Sequence, residues 1–291
     1  MPELPDLAVV ADALHATLSG RVVTDAEAPA PLAVRGTPAE LGALVGQRLD
    51  RVTRRGKFVL FDLERDRVAI NAMLTGRFQV AAPSERRPPK TAFVLRFGLR
   101  ATLPATAAPW TRGAAWLPPD EARVELRYRD PSQMGKVYLR PAGIERNVPG
   151  LEAPDQGPDA DEPELTLDAW RQRIRRHPGE LKALLRNQAF VAGIGNAYSD
   201  EILHAARLSP FRKRPSLAPE EIDALHGATR TVLADAVAVL RDRVPPRFEA
   251  QVRDFLAVHL KGGQPCPRCG ARLSEVSSRN EATTWCRACQ R

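Results

Sequence analysis

Four cysteines stand close together near the end of the 291-residue chain, as Cys266-x2-Cys269 and Cys286-x2-Cys289 with 16 residues between the pairs. That spacing suits a four-thiolate zinc site at the two ends of a hairpin, tetrahedral and closed, with no position open for catalysis. Two disulfides are the alternative, and the lack of a basic-then-apolar signal at the N-terminus argues against them. A second motif is Val191-Ala192-Gly193-Ile194-Gly195-Asn196, a glycine-rich turn leading into a helix. Backbone N–H groups at a helix N-terminus are well placed for a phosphate, and Asn196 is either a helix cap or a phosphate contact.

The elements that must hold these motifs fall into two halves. Leu7, Val10, Leu14 and Leu18 recur at helical spacing and predict an amphipathic helix over Pro5–Leu18. Short strands follow: Lys57–Leu63, Val68–Ala72, Thr91–Phe97, Arg123–Arg129 and Lys136–Arg140. In Arg123–Arg129, Val124, Leu126 and Tyr128 share one face, and the charged residues share the other. Such antiparallel strands with little helix between them predict a β-sandwich. The 98–122 stretch reads as a long loop rich in Pro, Ala and Trp. Beyond residue 164 the pattern is helical, with Leu167–Ile174, Glu180–Gln188, Ala197–Ala206 and a long helix from Pro219 to Leu240.

Lys plus Arg number 43 against 35 for Asp plus Glu, a net charge of +8, which is compatible with nucleic acid, an anionic membrane or simple solubility. Residues 145–164 hold seven acids and one base, are rich in Pro and Gly, and read as a linker. The predicted class is α+β. Its parts are an N-terminal helix and antiparallel β-sandwich over 1–144, the linker over 145–164, a helical domain over 165–260 and a β-hairpin zinc finger over 261–291. No window approaches the about 18 consecutive apolar residues of a membrane-spanning helix, and a cytoplasmic setting is expected.

Three separated stretches together resemble the formamidopyrimidine-DNA glycosylase and endonuclease VIII family of base-excision repair enzymes. They are the start Met1-Pro2-Glu3-Leu4-Pro5, the run Phe190–Glu201, which is similar to the family's helix–two-turn–helix signature, and the cysteine ribbon ending Cys289-Gln290. The resemblance implies a bacterial-type monomer holding one structural Zn2+. Its partner would be double-stranded DNA with a damaged base or abasic site, bound between the two domains. It implies a bifunctional DNA glycosylase/AP lyase in which Pro2, freed of Met1, attacks C1′ and Glu3 is the general acid/base. The cationic iminium then serves as electron sink for elimination of the phosphates. Lys57 matches a lysine on the phosphate beside the lesion, Asn196 (with the turn glycines Gly193 and Gly195) the phosphate-binding turn, and Glu201 an acid near the nucleophile. Two other readings stay open: an AP lyase with little base selectivity, and a non-catalytic damaged-DNA-binding protein on the same fold.

Departures from the family pattern qualify the substrate. Asp6 replaces a glutamate, and Asn71 stands where a phosphate-binding histidine often sits. Leu74 stands at the position that fills the hole left by a flipped base, a filling that offsets unstacking. Ser132 replaces the arginine that reads the orphaned cytosine, and Met134 replaces its aromatic wedge. Residues 241–265 do not resemble the segment that covers 8-oxoguanine. Glu281 reverses the sign of a phosphate-binding arginine, leaving Arg279 or Arg287 as substitute DNA contacts. Leu74 and the missing cover segment lean toward oxidised pyrimidines or ring-opened products.

Overall fold

The computed structural model describes residues 1–101, 107–152, 154–278 and 281–291. The chain divides into two compact units. Unit 1 comprises Met1–Pro2, Asp6–Val148 and Val239–Gln251; unit 2 comprises Glu3–Pro5, Pro149–Ala238 and Val252–Arg291. Among the described residues, no helix is long and apolar enough to cross a membrane.

Unit 1 is built on helix α1 (Leu4–Leu18, its first two residues belonging to unit 2) and, among the described residues, nine strands: β1 (Arg21–Glu27), β2 (Val34–Arg35), β3 (Leu49–Arg55), β4 (Phe58–Leu63), β5 (Arg67–Asn71), β6 (Arg77–Ala81), β7 (Thr91–Arg100), β8 (Val124–Arg129) and β9 (Lys136–Arg140). A short helix, α2 (Pro38–Gly42), carries a capping box between Thr37 and Glu40. The strands form a four-stranded sheet, β1-β7-β8-β6, and a five-stranded sheet, β2-β9-β5-β4-β3. Only the β2–β9 pair is parallel among these. Phe61 of β4 meets Phe78 of β6 with ring centroids 6.2 Å apart, so the two sheets share a core.

Helix α1 differs from the amphipathic expectation, being buried on nearly every side, with Val9, Ala11, Ala13 and Ala16 enclosed along with Leu7 and Leu14. Small side chains on its second face let neighbours close over it, and a helix apolar all round belongs in a core. At its C-terminal end Arg100 Nη2 donates to Ala16 O (2.8 Å) and Thr17 O (2.9 Å), and Thr17 O is shared with Arg21, whose side chain is fully buried. The Arg21 guanidinium donates to Thr17 O (3.0 Å), Gly98 O (3.1 Å), Asp120 O (3.4 Å), Ala122 O (2.5 Å) and Pro119 O (3.0 Å). One arginine thereby ties both ends of the 98–122 loop to the helix end.

Strand β8 departs from its expected solvent-facing side. Glu125 and Arg127 are both fully buried, beneath arginines from the neighbouring chain segments. Glu125 accepts from Arg96 (2.7 Å), Arg127 (2.7 Å) and Arg87 (2.9 Å), and Arg87 also grips Glu27 of β1 (2.7 Å). Burial alone would raise the Glu125 pKa, but hydrogen bonds from Arg87, Arg96 and Arg127 outweigh it and hold the carboxyl at about 2.

Unit 2 contains α3 (Leu167–Ile174), α4 (Leu181–Arg186), α5 (Asn196–Ala206), α6 (Pro219–Arg243, its last turns belonging to unit 1) and the hairpin β10 (Ser274–Ser278)–β11 (Glu281–Trp285). Trp170 packs edge-on to Phe190 at 4.9 Å in a core that also takes in Tyr198, Leu225 and Leu4. The acidic 145–164 stretch is more than a connector. Leu151, Ala160 and Leu165 beside it are buried, and Ala160 N–H donates to Ala192 O (3.1 Å).

Because Glu125 is depressed below its unfolded value, its stabilising contribution is complete above about pH 4.5 and is lost as the pH falls toward about 2. Glu125→Gln leaves Arg127 buried without its counter-charge and should cost about 3 kcal/mol at neutral pH, read by urea unfolding. Between pH 4.5 and 2 the variant's stability should fall less steeply than that of the parent chain; parallel curves would remove Glu125 from the account.

Candidate functional site

The N-terminus of α5 receives a carboxylate from within the chain. Glu3, only 3% exposed, accepts hydrogen bonds from the backbone N–H of Gly195 (2.6 Å), Ala197 (2.9 Å) and Tyr198 (3.3 Å). The next residue pins the same turn, Leu4 N–H donating to Gly193 O (3.0 Å). The glycines are required by this approach. A Cβ on Gly195 would lie 2.5 Å from the Glu3 carboxyl carbon, and one on Gly193, already at φ +96°, would lie 2.8 Å from Leu4.

These contacts give two amides of the turn partners within the chain. The Gly195 amide is taken by Glu3 and the Gly193 amide by Gln188 Oε1 (2.9 Å), so the anion at this helix end is the chain's own. Asn196 is the first helical residue, not the cap, which is Gly195. Its Nδ2 donates to Ala282 O (3.0 Å) on β11, and its Oδ1 is buried with no hydrogen-bond partner among the described residues.

Pro2 belongs to unit 1, where it is buried in the wall of a pocket shared with Asp6, Gly76, Arg77, Phe248 and Gln251. Arg77 Nη1 donates to Gly76 O (2.8 Å) and Nη2 to Gln251 Oε1 (3.0 Å). Neither Phe248 nor Gln251 was anticipated, since 244–251 has no periodicity to mark it; Arg77 could have been suspected from its place beside Gly76.

Two loops of unit 1 carry the expected wedge residues. Leu74 is 49% exposed and Met134 47%, both unusually open for apolar side chains. Asp130 ties the loops together, accepting from Thr75 Oγ1 (2.5 Å), Ser132 Oγ (2.9 Å) and the Gly135 amide (2.6 Å). Burial opposes its charge, but these donors prevail and hold its pKa below the usual aspartate value. The Tyr128 hydroxyl lies between the loops: a Cβ on Gly76 would come within 2.4 Å of it, and one on Gly135 within 1.8 Å. Asn71 turns inward, its Oδ1 accepting from Met73 N–H (3.0 Å) at a left-handed Met73 (φ 46°). Lys57 is half-buried at the β3–β4 turn, after Gly56 at φ 54°.

In unit 2, Glu201 organises the segment before the zinc ribbon, accepting the amides of Ala257 (2.7 Å), Val258 (2.9 Å) and His259 (2.8 Å). Beside it a buried Asp200 joins Lys182 (2.5 Å) to His259 Nδ1 (2.8 Å), and Lys182 also donates to Ala282 O (3.1 Å). Burial lowers the Lys182 pKa, and Asp200 partly restores it. Lys182 was missed because a single lysine in a leucine-rich helix looks like a solvated residue. Glu281 forms an ion pair with Arg186 (2.5 Å), so its negative charge is compensated locally. Arg279 lies outside the described residues, and Arg287 lies over the Trp285 ring at 5.7 Å.

All four cysteines are free thiols whose Sγ atoms lie within 4.8 Å of one another. The Cys266–Cys289 and Cys269–Cys286 separations are 3.9 and 3.6 Å, against about 3.8 Å for the edge of a tetrahedron with Zn–S near 2.3 Å. The donor set therefore fits zinc. The Ala271 amide and neighbouring thiols draw the Cys269 pKa down to about 7, favouring the thiolate such a metal needs. His204 Nε2 lies 3.3 Å from Cys266 Sγ, and burial followed by Arg268 pushes its pKa down to about 4, so a neutral imidazole faces the sulfur. Cys286→Ser should lower the metal content from one zinc per chain, measured by mass spectrometry, and weaken DNA binding in parallel. Unchanged metal content would exclude the four-thiolate set.

Comparison with known proteins agrees across the chain. Residues 1–137 match the formamidopyrimidine-DNA glycosylase N-terminal domain, 156–244 the formamidopyrimidine-DNA glycosylase H2TH domain, and 263–291 the zinc finger found in FPG and IleRS. The formamidopyrimidine-DNA glycosylase of Exiguobacterium sibiricum is 30% identical over 100% of this chain and 99% of its own length. That of Symbiobacterium thermophilum is 32% identical over 100% of this chain and 89% of its own. A crystal structure of the Lactococcus lactis enzyme, non-covalently bound to DNA containing an AP site, superposes with a TM-score of 0.82 at 23% identity, covering 99% of each chain. The chain belongs to the formamidopyrimidine-DNA glycosylase family, with the family's zinc finger.

Proposed function

We propose that this DNA glycosylase family member is bifunctional, excising oxidised bases from double-stranded DNA and cleaving the strand as an AP lyase through Pro2. The observation that carries the reading is a pair of consecutive residues: Pro2 in its pocket, followed by Glu3 locked on the α5 amides.

Once Met1 is removed, Pro2 offers a secondary amine. An α-amino group titrates near about 7.7–8, so a neutral fraction exists at pH 7, and the start of α1 two residues on disfavours the ammonium. The amine lone pair attacks C1′, and the bond to the base breaks with its electron pair leaving on the base, which takes up a proton. The attacking nitrogen gives up its proton, and its lone pair then opens the sugar to an iminium that has no N–H left to lose and stays cationic. Loss of a C2′ proton then expels the 3′ phosphate. Glu3 is the acid/base group of this sequence, and its three amide donors fix where its oxygens lie. Leu74 and Met134, exposed on loops joined through Asp130, are the wedge residues that replace an extruded nucleotide. Lys57, Asn71, Asn196 and Arg279 are the DNA contacts, with Asp6 and Glu201 in support. In this reading zinc closes the β10–β11 hairpin and takes no part in bond making.

Borohydride trapping tests this directly, with Met1 removal checked by mass and duplexes carrying an abasic site, dihydrouracil, thymine glycol, 8-oxoguanine or a formamidopyrimidine. The expected result is a covalent adduct that Pro2→Gly abolishes and Glu3→Gln abolishes on the base lesions. Absence of any adduct despite salt-sensitive binding would leave a DNA-binding protein on this fold. DNA affinity should fall with salt at a log–log slope near −0.9 per phosphate neutralised. Glu281→Arg, which also releases Arg186, should tighten binding and steepen that slope; an unchanged slope would place the hairpin away from phosphate.

A further inference from the structure

Resting on the proposed Pro2 chemistry, we infer that Gln251 is a further catalytic residue, a hydrogen-bond donor to the sugar ring oxygen O4′ as the sugar opens to the iminium. The Met1 carbonyl carbon is bonded to the Pro2 nitrogen, so it occupies the place that C1′ takes once that nitrogen has attacked. The oxygen on this carbon correspondingly stands where an acceptor attached to C1′ would stand, and on a nucleoside that acceptor is O4′. Gln251 Nε2 donates to the Met1 oxygen at 3.4 Å.

The orientation of the amide is fixed by chemistry. A guanidinium only donates, so the Gln251 atom 3.0 Å from Arg77 Nη2 is the oxygen, and the NH2 group is turned toward Pro2. Arg77 is itself held by Gly76 O (2.8 Å). The segment that carries Gln251 is braced by the long loop whose role was not legible in the sequence. Phe248 meets Trp116 edge-on at 6.2 Å, Trp116 meets Trp110 at 6.3 Å, and Trp110 Nε1 donates to Asp12 of α1 (2.9 Å). Arg241 covers the Trp110 ring at 5.5 Å. A donor placed in this way costs no reorganisation when charge appears opposite it.

After its attack on C1′ the Pro2 nitrogen is an ammonium and gives its proton to Glu3; the lone pair so released forms the C=N bond while the C1′–O4′ bond breaks with its pair on O4′. That oxygen then takes the proton back from Glu3. Gln251 steadies the developing charge without giving up a proton.

Single-turnover borohydride trapping with Gln251→Ala and Gln251→Glu tests the assignment on dihydrouracil, 8-oxoguanine and abasic duplexes. Iminium formation from both base lesions should slow by about 100-fold and to the same extent, because every nucleoside carries O4′. On the abasic duplex, whose sugar opens without the enzyme, the rate should stay within about twofold, which also reports that the variants are folded. Unchanged rates, a loss confined to one lesion, or an equal loss on the abasic duplex would each overturn the assignment to O4′ alone. No adduct from the parent chain on any duplex would overturn the Pro2 reading, and this one with it.

Discussion

A buried carboxylate at a helix N-terminus sets the terms for unit 2. Glu3 takes three amides at the start of α5, and its arrival determines what else can be there: no side chain at 193 or 195, and Leu4 in the core against the turn. A helix end favours negative charge, and an anion bound through N–H groups in a buried place is held in one geometry. A flexible N-terminal tail would fix neither the proline nor the acid. Here the helix end converts residues 3–5 from a tail into a part of the core.

The same economy recurs in unit 1, where a few polar groups replace long stretches of regular structure. Arg21 gathers five carbonyls, Glu125 gathers three guanidiniums, and Asp130 joins two loops. Each hub is charged and poorly exposed, so each is expensive to leave incomplete. The exposed Leu74 and Met134 can be carried on short loops because the polar hub beneath them removes the loops' freedom.

Much of this was legible and some was not, for physical reasons. All the α-helices but the short α2, and five of the strands, follow from spacing, since burial of one face leaves a period in the chain. The zinc ligands follow from spacing too, because four thiolates around one ion admit few sequences. Strands β1 and β3 were not individually marked, because Thr24, Asp25, Arg51 and the Arg54-Arg55 pair break the alternation that a half-buried strand shows. Arg21, Glu125 and Arg127 carry the residue types of solvent, and only their partners across the sheet make burial tolerable. The seat of Glu3 joins positions 192 and more residues apart. Both ends were visible as motifs, yet local pattern could not match them.

That long separation has a consequence for the life of the nascent chain. Residues 3–5 leave the ribosome long before their seat at residues 193–198 is synthesised. Throughout that interval residues 3–5 lack their final packing. A truncated chain that stops before residue 193 therefore carries Glu3 without its seat. Synthesis order makes this contact a late one, since domains fold as their sequences become complete and the most distant contacts close last.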